Sequence, residues 1–265
     1  MRIFFYLLLF APFLFAEVHY AKVEPYKIKN ITANVSGRVV FVNEDLLGKT
    51  LSNRRFIHID DVIDKAELRD VNKKLSDLHE TLLLNKKILK NLAEVLKRKK
   101  INYKKTEALK IKSRIDKDKE FYDLIATKNS YNTTQKEINT LQNSIADLEL
   151  QRTKLRKSIH DKSIIQKGFL LYSLKVKEGT MVNMATPLAE VADISKALLT
   201  IYVDRNELAG IEQKKIYLND HKTNYKIRSA IPIADSVNIS KYRVQIVINP
   251  PKIFSQLVKV ELKEE

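Results

Sequence analysis

The sequence of 265 residues contains no cysteine and no tryptophan, and it has only five glycines and six prolines. The absence of cysteine excludes disulfides and thiolate-bound metal sites. Glycine and proline are both missing from residues 49–167, a stretch of 119 residues. Because these two residue types are the strongest interruptions of regular backbone structure, their absence favours long, unbroken helices in this stretch.

Sequence motifs of enzymes are also missing. There is no glycine-rich phosphate loop, no Gly-x-Ser-x-Gly elbow and no His-Glu-x-x-His pattern. The five histidines are scattered, and no two of them have the spacing of four that places two imidazoles on one helix face. We therefore predict no catalytic residues, no cofactor site and no metal site, and we expect the protein not to be an enzyme.

Apolar residues recur through residues 61–163 at alternating spacings of three and four, which predicts helices packed on each other as a coiled coil. The first series consists of Leu68, Val71, Leu75, Leu78, Leu82, Asn85, Leu89, Leu92 and Leu96, followed by the more polar Lys99, Tyr103, Thr106 and Lys110. The second series consists of Leu124, Thr127, Tyr131, Thr134, Ile138, Leu141, Ile145, Leu148, Arg152, Leu155 and Ile159. Both series are most polar near the middle of the stretch. An antiparallel pair of helices therefore places polar seam residues against polar ones and apolar seam residues against apolar ones.

The middle of this stretch carries a helix-start pattern. Ser113 is followed three residues later by Asp116, which resembles a capping box with Asp in place of the usual Glu. We therefore predict a helical hairpin over 61–163 with its turn near 111–114. A turn at 128–130 is the alternative, but it would leave two arms of very unequal length.

The N-terminus has the composition of a secretory signal peptide. Arg2 precedes an apolar run over 3–16, which is shorter than the roughly 20 residues that a membrane-spanning helix needs. We predict a signal peptide over 1–16 that is cleaved before Glu17, so that the mature protein works outside the cytoplasmic membrane. An uncleaved anchor is the alternative, because Leu14 stands where a small residue is preferred.

The formal net charge of +16 allows two interpretations. One is a polyanionic partner, such as nucleic acid or anionic lipid, and a basic cluster over 97–105 suits an acidic rim. The other is a set of solvated, lysine-rich helix faces. It is favoured because residues 61–162 intersperse 25 Lys and Arg with 16 Asp and Glu. The predicted secretion also argues against nucleic acid.

Strand patterns flank the helical stretch on both sides. Before it, residues 17–33 hold short β-prone pieces, and residues 34–60 hold an alternating strand with a bend or bulge at Gly37 and a second strand over 56–60. After it, residues 164–194 hold two strands joined by a Glu-Gly turn. The tail over 195–265 has further alternating runs, which predict a small antiparallel sheet or barrel.

The segments on either side of the hairpin resemble the half-motifs of a lipoyl-type β domain. The first half carries Val35, Ser36, Gly37, Arg38, Val39, Phe56, Ile57, His58, Ile59 and Asp60. The second half carries Gly168, Leu174, Val176, Glu178, Gly179, Val182, Pro187, Leu188, Val191, Ala192 and Asp193. Residues 197–211 resemble the entry into a β-barrel. In this combination the chain is similar to the periplasmic adaptors, the HlyD-like membrane fusion protein family.

The resemblance implies an elongated α+β fold. A split lipoyl-like β-sandwich, built from 34–60 and 164–194, would be interrupted by the long antiparallel coiled-coil hairpin. A small antiparallel β-barrel over 195–265 would follow, with residues 17–33 as N-terminal strands of the barrel region.

The resemblance also implies a function. Adaptors link an inner-membrane transporter, of the RND or ABC type, to a TolC-type outer-membrane channel in efflux or secretion, and they self-associate into a ring or sheath. The expected location is the periplasm, in association with the inner membrane, with no nucleic-acid partner. A structural coiled-coil protein of the cell envelope and a carrier-domain enzyme subunit are the alternatives. In the latter a turn lysine carries the cofactor, and here the hairpin replaces that turn.

The hairpin tip is the partner-docking site that the resemblance implies. In drug-pump adaptors the tip carries an Arg, a Leu and a Ser at set spacing. Alignment on Ser113 puts Asn102 and Thr106 at the other two positions, so the match is partial. The candidate docking residues are Tyr103, Lys110, Lys112, Ser113, Arg114, Asp116 and Asp118. The candidate turn residues of the β domain are Gly37, Gly168 and Gly179.

Overall fold

The structure is a computed structural model that describes residues 17–234, 238 and 240–264. The predicted signal peptide lies outside the described residues. The helices are α1 (Val62–Ala108), α2 (Arg114–Asp161) and the short α3 (Arg205–Leu208). The strands are β1 (Val18–Thr32), β2 (Gly37–Val42), β3 (Ile57–Ile59), β4 (Ser163–Ile164), β5 (Leu170–Leu174), β6 (Met181–Val182), β7 (Pro187–Val203), β8 (Lys215–Leu218), β9 (His221–Lys222), β10 (Ile227–Ala234), β11 (Tyr242–Ile248) and β12 (Leu257–Lys263).

The predicted hairpin is formed by α1 and α2, which pack against each other and are joined by residues 109–113. The helices contain 47 and 48 residues, so each arm is about 70 Å long at about 1.5 Å per residue. The alternative turn at 128–130 lies inside α2. Among the described residues, no helix has an apolar stretch of the length that crossing a membrane requires.

The seam between the two helices follows the predicted heptads. Its fully buried apolar residues are Val71, Leu75, Leu82, Ile138, Ile145 and Leu155. Farther from the β strands, the buried positions are the hydroxyl side chains Thr106, Thr127 and Thr134. Lys110 is the one predicted seam residue that is exposed, because α1 ends two residues before it. Apolar packing therefore stabilises the hairpin root, and the packing is more polar toward the tip.

The two halves of the predicted lipoyl-like domain rejoin at the hairpin root. In β2 and β6, Gly37 pairs with Val182, and in β3 and β4, Ile57 pairs with Ile164. One core contains residues from both sides of the hairpin, namely Ala33, Val39, Val42, Leu51, Phe56, Ile57, Ile59, Leu171, Val176, Val182, Leu188, Ala189 and Val191. The expected split β unit is therefore confirmed.

Two long strands connect this unit to a second β module. Residues 189–192 of β7 pair with β5, and residues 197–203 of β7 pair with β11. The strand β1 pairs with residues 187–199 of β7. The first residues of β1 pair instead with β12. The second core includes the part of β7 that pairs with β11. It consists of Ala21, Val23, Ala197, Leu199, Ile201, Val203, Ile211, Ile216, Val244, Ile246, Val260 and Leu262. The two modules are therefore joined by continuous strands.

The predicted small antiparallel sheet or barrel is an antiparallel sheet that does not close into a barrel within the described residues. The sheet has the order β10-β11-β7-β1-β12-β8-β9, with β5 added to β7, and β9 and β10 do not pair in the described part of the chain. The strand β9 has only two residues. The next residue, Thr223, donates to the backbone oxygen of Ile216 through both its amide (2.9 Å) and its hydroxyl (2.8 Å). These bonds hold the chain against β8, so it does not extend along β10.

A group of polar contacts fixes both helices to the β unit at the hairpin root. Asp64 in α1 accepts a hydrogen bond from Ser158 at 2.6 Å and forms an ion pair with Lys162 at 2.9 Å. In β3, Nε2 of His58 lies 3.3 Å from Oδ1 of Asp61, and Nδ1 of His58 lies 3.1 Å from the backbone oxygen of Lys162. The start of α1 and the end of α2 are thus held in one place.

Gly37 marks the closest approach within the split unit. A Cβ atom at this position would lie 2.7 Å from Cγ2 of Ile59, which is fully buried. Gly37→Ala therefore forces Ile59 or the β2 backbone to shift, and we expect a loss of about 1–3 kcal/mol in the free energy of unfolding. Thermal melting measures it. Ser36→Ala, at an exposed position, is the control, and equal melting temperatures for the two variants would contradict the close packing.

Asp64 predicts a dependence of stability on pH. Burial alone raises the pKa of its carboxyl, but the hydrogen bonds from Ser158 and Lys162 and the charge of Lys162 outweigh burial, so the pKa lies below its usual value. A lowered pKa in the folded state adds stability that is present above the unfolded pKa of about 3.9 and is lost as pH falls through the folded pKa.

We therefore expect Asp64→Asn to lower the unfolding free energy by about 1–3 kcal/mol at neutral pH. The difference from the wild type should shrink as the pH falls below about 4. Urea unfolding at several pH values measures this. Asp77→Asn, on the exposed face of α1, is the matched control. A difference that stays constant from pH 7 to pH 2 would refute the role given to the Asp64 carboxylate.

Candidate partner-docking site at the hairpin tip

The hairpin tip, defined here as residues 97–122, is organised by the start of α2. Ser113 is the N-cap: its Oγ accepts a hydrogen bond from the Asp116 amide at 3.2 Å and donates to the Asp116 carboxylate at 2.8 Å. Lys117 Nζ donates to the backbone oxygen of Glu107 at 3.0 Å and so joins the two helix ends. The predicted cap is confirmed, and polar contacts hold the turn.

Aromatic side chains pack below the turn. The Tyr103 ring lies 5.7 Å from the Phe121 ring, and Phe121 in turn lies 5.8 Å from Tyr122. The Tyr103 hydroxyl donates to Glu107 at 3.2 Å. Desolvation raises the pKa of Tyr103, and the hydrogen bond to Glu107 and the charges of Glu107 and Asp118 raise it further. Tyr103 is therefore a neutral hydrogen-bond donor that supports the seam.

The tip carries a concentrated positive charge. Residues 97–119 contain eleven Lys and Arg but only three Asp and Glu. Within the described chain, Lys99 alone among these cations forms an ion pair, with Asp123 at 2.8 Å, while Lys117 binds a backbone oxygen. The other nine are Lys97, Arg98, Lys100, Lys104, Lys105, Lys110, Lys112, Arg114 and Lys119. We call these nine residues the cationic collar.

Exposed isoleucines stand within the collar. Ile111 is 92% exposed and Ile115 is 80% exposed, and Leu109 and Tyr122 beside them are also exposed. Sequence reasoning missed these residues because it followed only the heptad positions. The sequence does indicate them, because they are apolar residues outside the heptad positions in a stretch that is otherwise rich in charged residues. The tip thus presents exposed apolar side chains that are surrounded by positively charged ones.

The predicted docking residues lie at the hairpin tip, and the predicted turn residues lie in the split β unit. Lys110, Lys112, Ser113, Arg114, Asp116 and Asp118 are exposed at the turn, and Tyr103 is half-buried on the seam. Thr106, aligned with the Leu of drug-pump adaptors, is buried between the helices, whereas Asn102 is exposed. Gly37, Gly168 and Gly179 lie in the split β unit, where Gly168 and Gly179 have positive φ angles of 85° and 88° at turns.

Comparisons of sequence and of structure give different results. A scan against family models finds no match, and neither does a search of curated proteins. MacA from Actinobacillus actinomycetemcomitans matches in structure with a TM-score of 0.73 and 17% identity, over 93% of this chain and 78% of MacA. The membrane fusion protein Spr0693 from Streptococcus pneumoniae R6 matches with a TM-score of 0.65 and 9% identity, over 94% of this chain and 100% of Spr0693.

A third match includes a transplanted hairpin. It is a MacA-MexA chimera that contains the α-hairpin domain of Pseudomonas aeruginosa MexA, with a TM-score of 0.61 and 17% identity, over 94% of this chain and 82% of the chimera. At these identities the likeness concerns the fold. The expectation from the sequence resemblance is met: this chain has the fold of the membrane fusion proteins, a β unit split by a long helical hairpin.

Proposed function

We propose that the protein is a non-enzymatic periplasmic adaptor that links an inner-membrane transporter to a TolC-type outer-membrane channel. The observation that carries this proposal is the arrangement of a split β unit, a hairpin of about 70 Å and a polar, cationic tip. A rod of this length spans a gap between two partners. The name of Spr0693, a membrane fusion protein, supports the same class of function.

The contacts at the hairpin root suit a rigid attachment of the hairpin to the β unit. Apolar seam residues and the contacts of Asp64 with Ser158 and Lys162 hold the two helices to each other, and His58 of β3 contacts both helix ends. The continuous strands β1 and β7 then connect that unit to the second module. In our proposal the two β modules sit over the transporter, of either the RND or the ABC type, at the inner membrane. The apolar N-terminal run serves for secretion into the periplasm.

The tip suits a partner with an acidic rim. Lysines and arginines of the collar have few carboxylates of their own to neutralise them, so they add attraction to a negatively charged entrance. Ile111 and Ile115 supply apolar surface to bury in the contact. The threonines in the seam near the tip make the two helices easier to separate than leucines would, which suits an end that exchanges contacts with channel helices.

Self-association has its own supporting surface. On α1, Leu84, Ile88 and Val95 lie off the seam at spacings of four and seven, and they are 52%, 48% and 42% exposed. These spacings put them on one side of the helix. A neighbouring copy that packs along this side would bury them, which is what a ring or sheath of parallel hairpins requires.

Charge reversal at the tip tests the proposal. A photo-reactive amino acid at Ile111 reports which envelope protein lies against the tip in living cells. We expect it to cross-link to an outer-membrane channel, and we expect Lys110→Glu, Lys112→Glu and Arg114→Glu together to lower the yield by about tenfold. The matched control reverses Lys86, Lys87 and Lys90, which are exposed on the middle of α1.

Failure of the tip to contact a channel would contradict the proposal. If the Ile111 probe captures no outer-membrane channel, and a probe at Leu150 near the root gives the same products, then the tip is not a docking site. If, in addition, deletion of residues 97–122 leaves export and drug sensitivity unchanged, the alternative of a structural envelope protein without a transport role is supported.

A further inference from the structure

A group of metal-ligating side chains lies in the second β module, away from the hairpin. Glu17 precedes β1, His19 is the second residue of β1, and Glu207 lies in α3. One carboxylate oxygen of each glutamate and one imidazole nitrogen all lie within 4.8 Å of one another. Ligand atoms that share one Zn²⁺ ion at about 2.0–2.2 Å in tetrahedral geometry lie about 3.3–3.6 Å apart. The group is wider than this by up to about 1.5 Å, so the exposed Glu17 side chain has to turn inward when an ion binds.

The imidazole of His19 is fixed in place. It is only 7% exposed, and the β1 backbone is held there by the pairing of His19 with Val260 in β12. Nε2 lies 3.0 Å and 3.3 Å from the two carboxylate oxygens of Glu207. A buried histidine of this kind has its nitrogen aimed at the group before any ligand arrives.

Glu207 has spare acceptor capacity. Its Oε2 atom is buried, and its contact among the described residues is with Nε2 of His19 at 3.0 Å. The same Nε2 atom lies 3.3 Å from Oε1, so one imidazole nitrogen faces both carboxylate oxygens. A His–Glu pair alone therefore leaves acceptor capacity on Glu207 that a bound cation would use, and it does not use the third ligand, Glu17.

Two lysines border the group. Lys241 Nζ lies 3.3 Å from Glu17 and 2.9 Å from Asp204, and Lys214 Nζ donates to the backbone oxygen of Glu207 at 3.1 Å. Lys241 therefore competes with any bound cation for Glu17. Asp204 supplies it with a second partner, so that Lys241 keeps an ion pair when Glu17 turns to a metal.

We propose that Glu17, His19 and Glu207 bind a divalent transition-metal ion of the Zn²⁺ type. The ligands are Nε2 of His19 and one carboxylate oxygen from each glutamate, with water in the open position. A mixed set of imidazole and carboxylate is chemically suited to Zn²⁺. Bound metal ties the first strand to a helix that lies 188 residues later in the chain. No local sequence spacing records such a site, which explains why the scattered histidines gave no indication of it.

Calorimetric titration of the purified protein with ZnCl₂, together with thermal melting, tests the proposal. We expect one Zn²⁺ per chain and a melting temperature that rises with Zn²⁺ concentration, because an ion that binds only the folded state stabilises it. Glu17→Gln and Glu207→Gln should each weaken binding by about tenfold or more. Glu17 is exposed, so its variant tests the site even where a change at the buried His19 prevents folding.

Matched variants separate a built site from surface binding. Glu212→Gln and His221→Gln, at exposed positions of the same module, should leave the affinity for Zn²⁺ unchanged. Lys241→Met should strengthen binding, since it removes the competing ammonium group. The proposal is overturned if the wild type shows no stoichiometric Zn²⁺ binding, or if Glu17→Gln and Glu207→Gln bind Zn²⁺ as well as Glu212→Gln does.

Discussion

The pairing of two distant strand segments at the hairpin root is the constraint on which the rest of the structure depends. Strands β2 and β3 come before the hairpin and β4 to β7 come after it, yet they share one core around Phe56, Leu171 and Leu188. Two helices with a narrow seam bury too little apolar surface to fix their own orientation. Their direction is set because both are anchored in one β unit, and the contacts of Asp64 with Ser158 and Lys162 add to that anchor.

Stability is graded along the hairpin, and the gradient matches the proposed roles of its two ends. Leucine, isoleucine and valine fill the seam near the root, whereas threonines fill it toward the tip. The cost of separating the helices is therefore lowest where a partner is proposed to dock. Charge follows the same axis, since the nine cations of the collar, none of them in an ion pair within the described chain, lie within 23 residues of the tip. The base gives rigidity, and the tip gives an adaptable surface.

Much of this architecture could be predicted from the sequence because it depends on local patterns. The lack of Gly and Pro and the heptads located both helices, and the Ser113 cap located the turn. Other features depend on contacts between distant residues. The open sheet follows from Thr223 binding back to Ile216, and the cluster of His19 with Glu207 joins residues 188 positions apart. Ile111 and Ile115 were missed because a seam analysis ignores exposed apolar residues, although their exposure distinguishes the tip.

Closure of the split β unit across the hairpin is the central claim, and an engineered disulfide tests it most directly. Arg38 and Met181 are cross-strand partners in β2 and β6, and the chain has no cysteine of its own. Antiparallel partners have Cα atoms about 4.5–5.5 Å apart, within the range of a disulfide. We predict that Arg38→Cys with Met181→Cys forms an intramolecular disulfide in the folded protein under mild oxidation and raises its melting temperature. Failure to form this bond while the protein is folded would contradict the account.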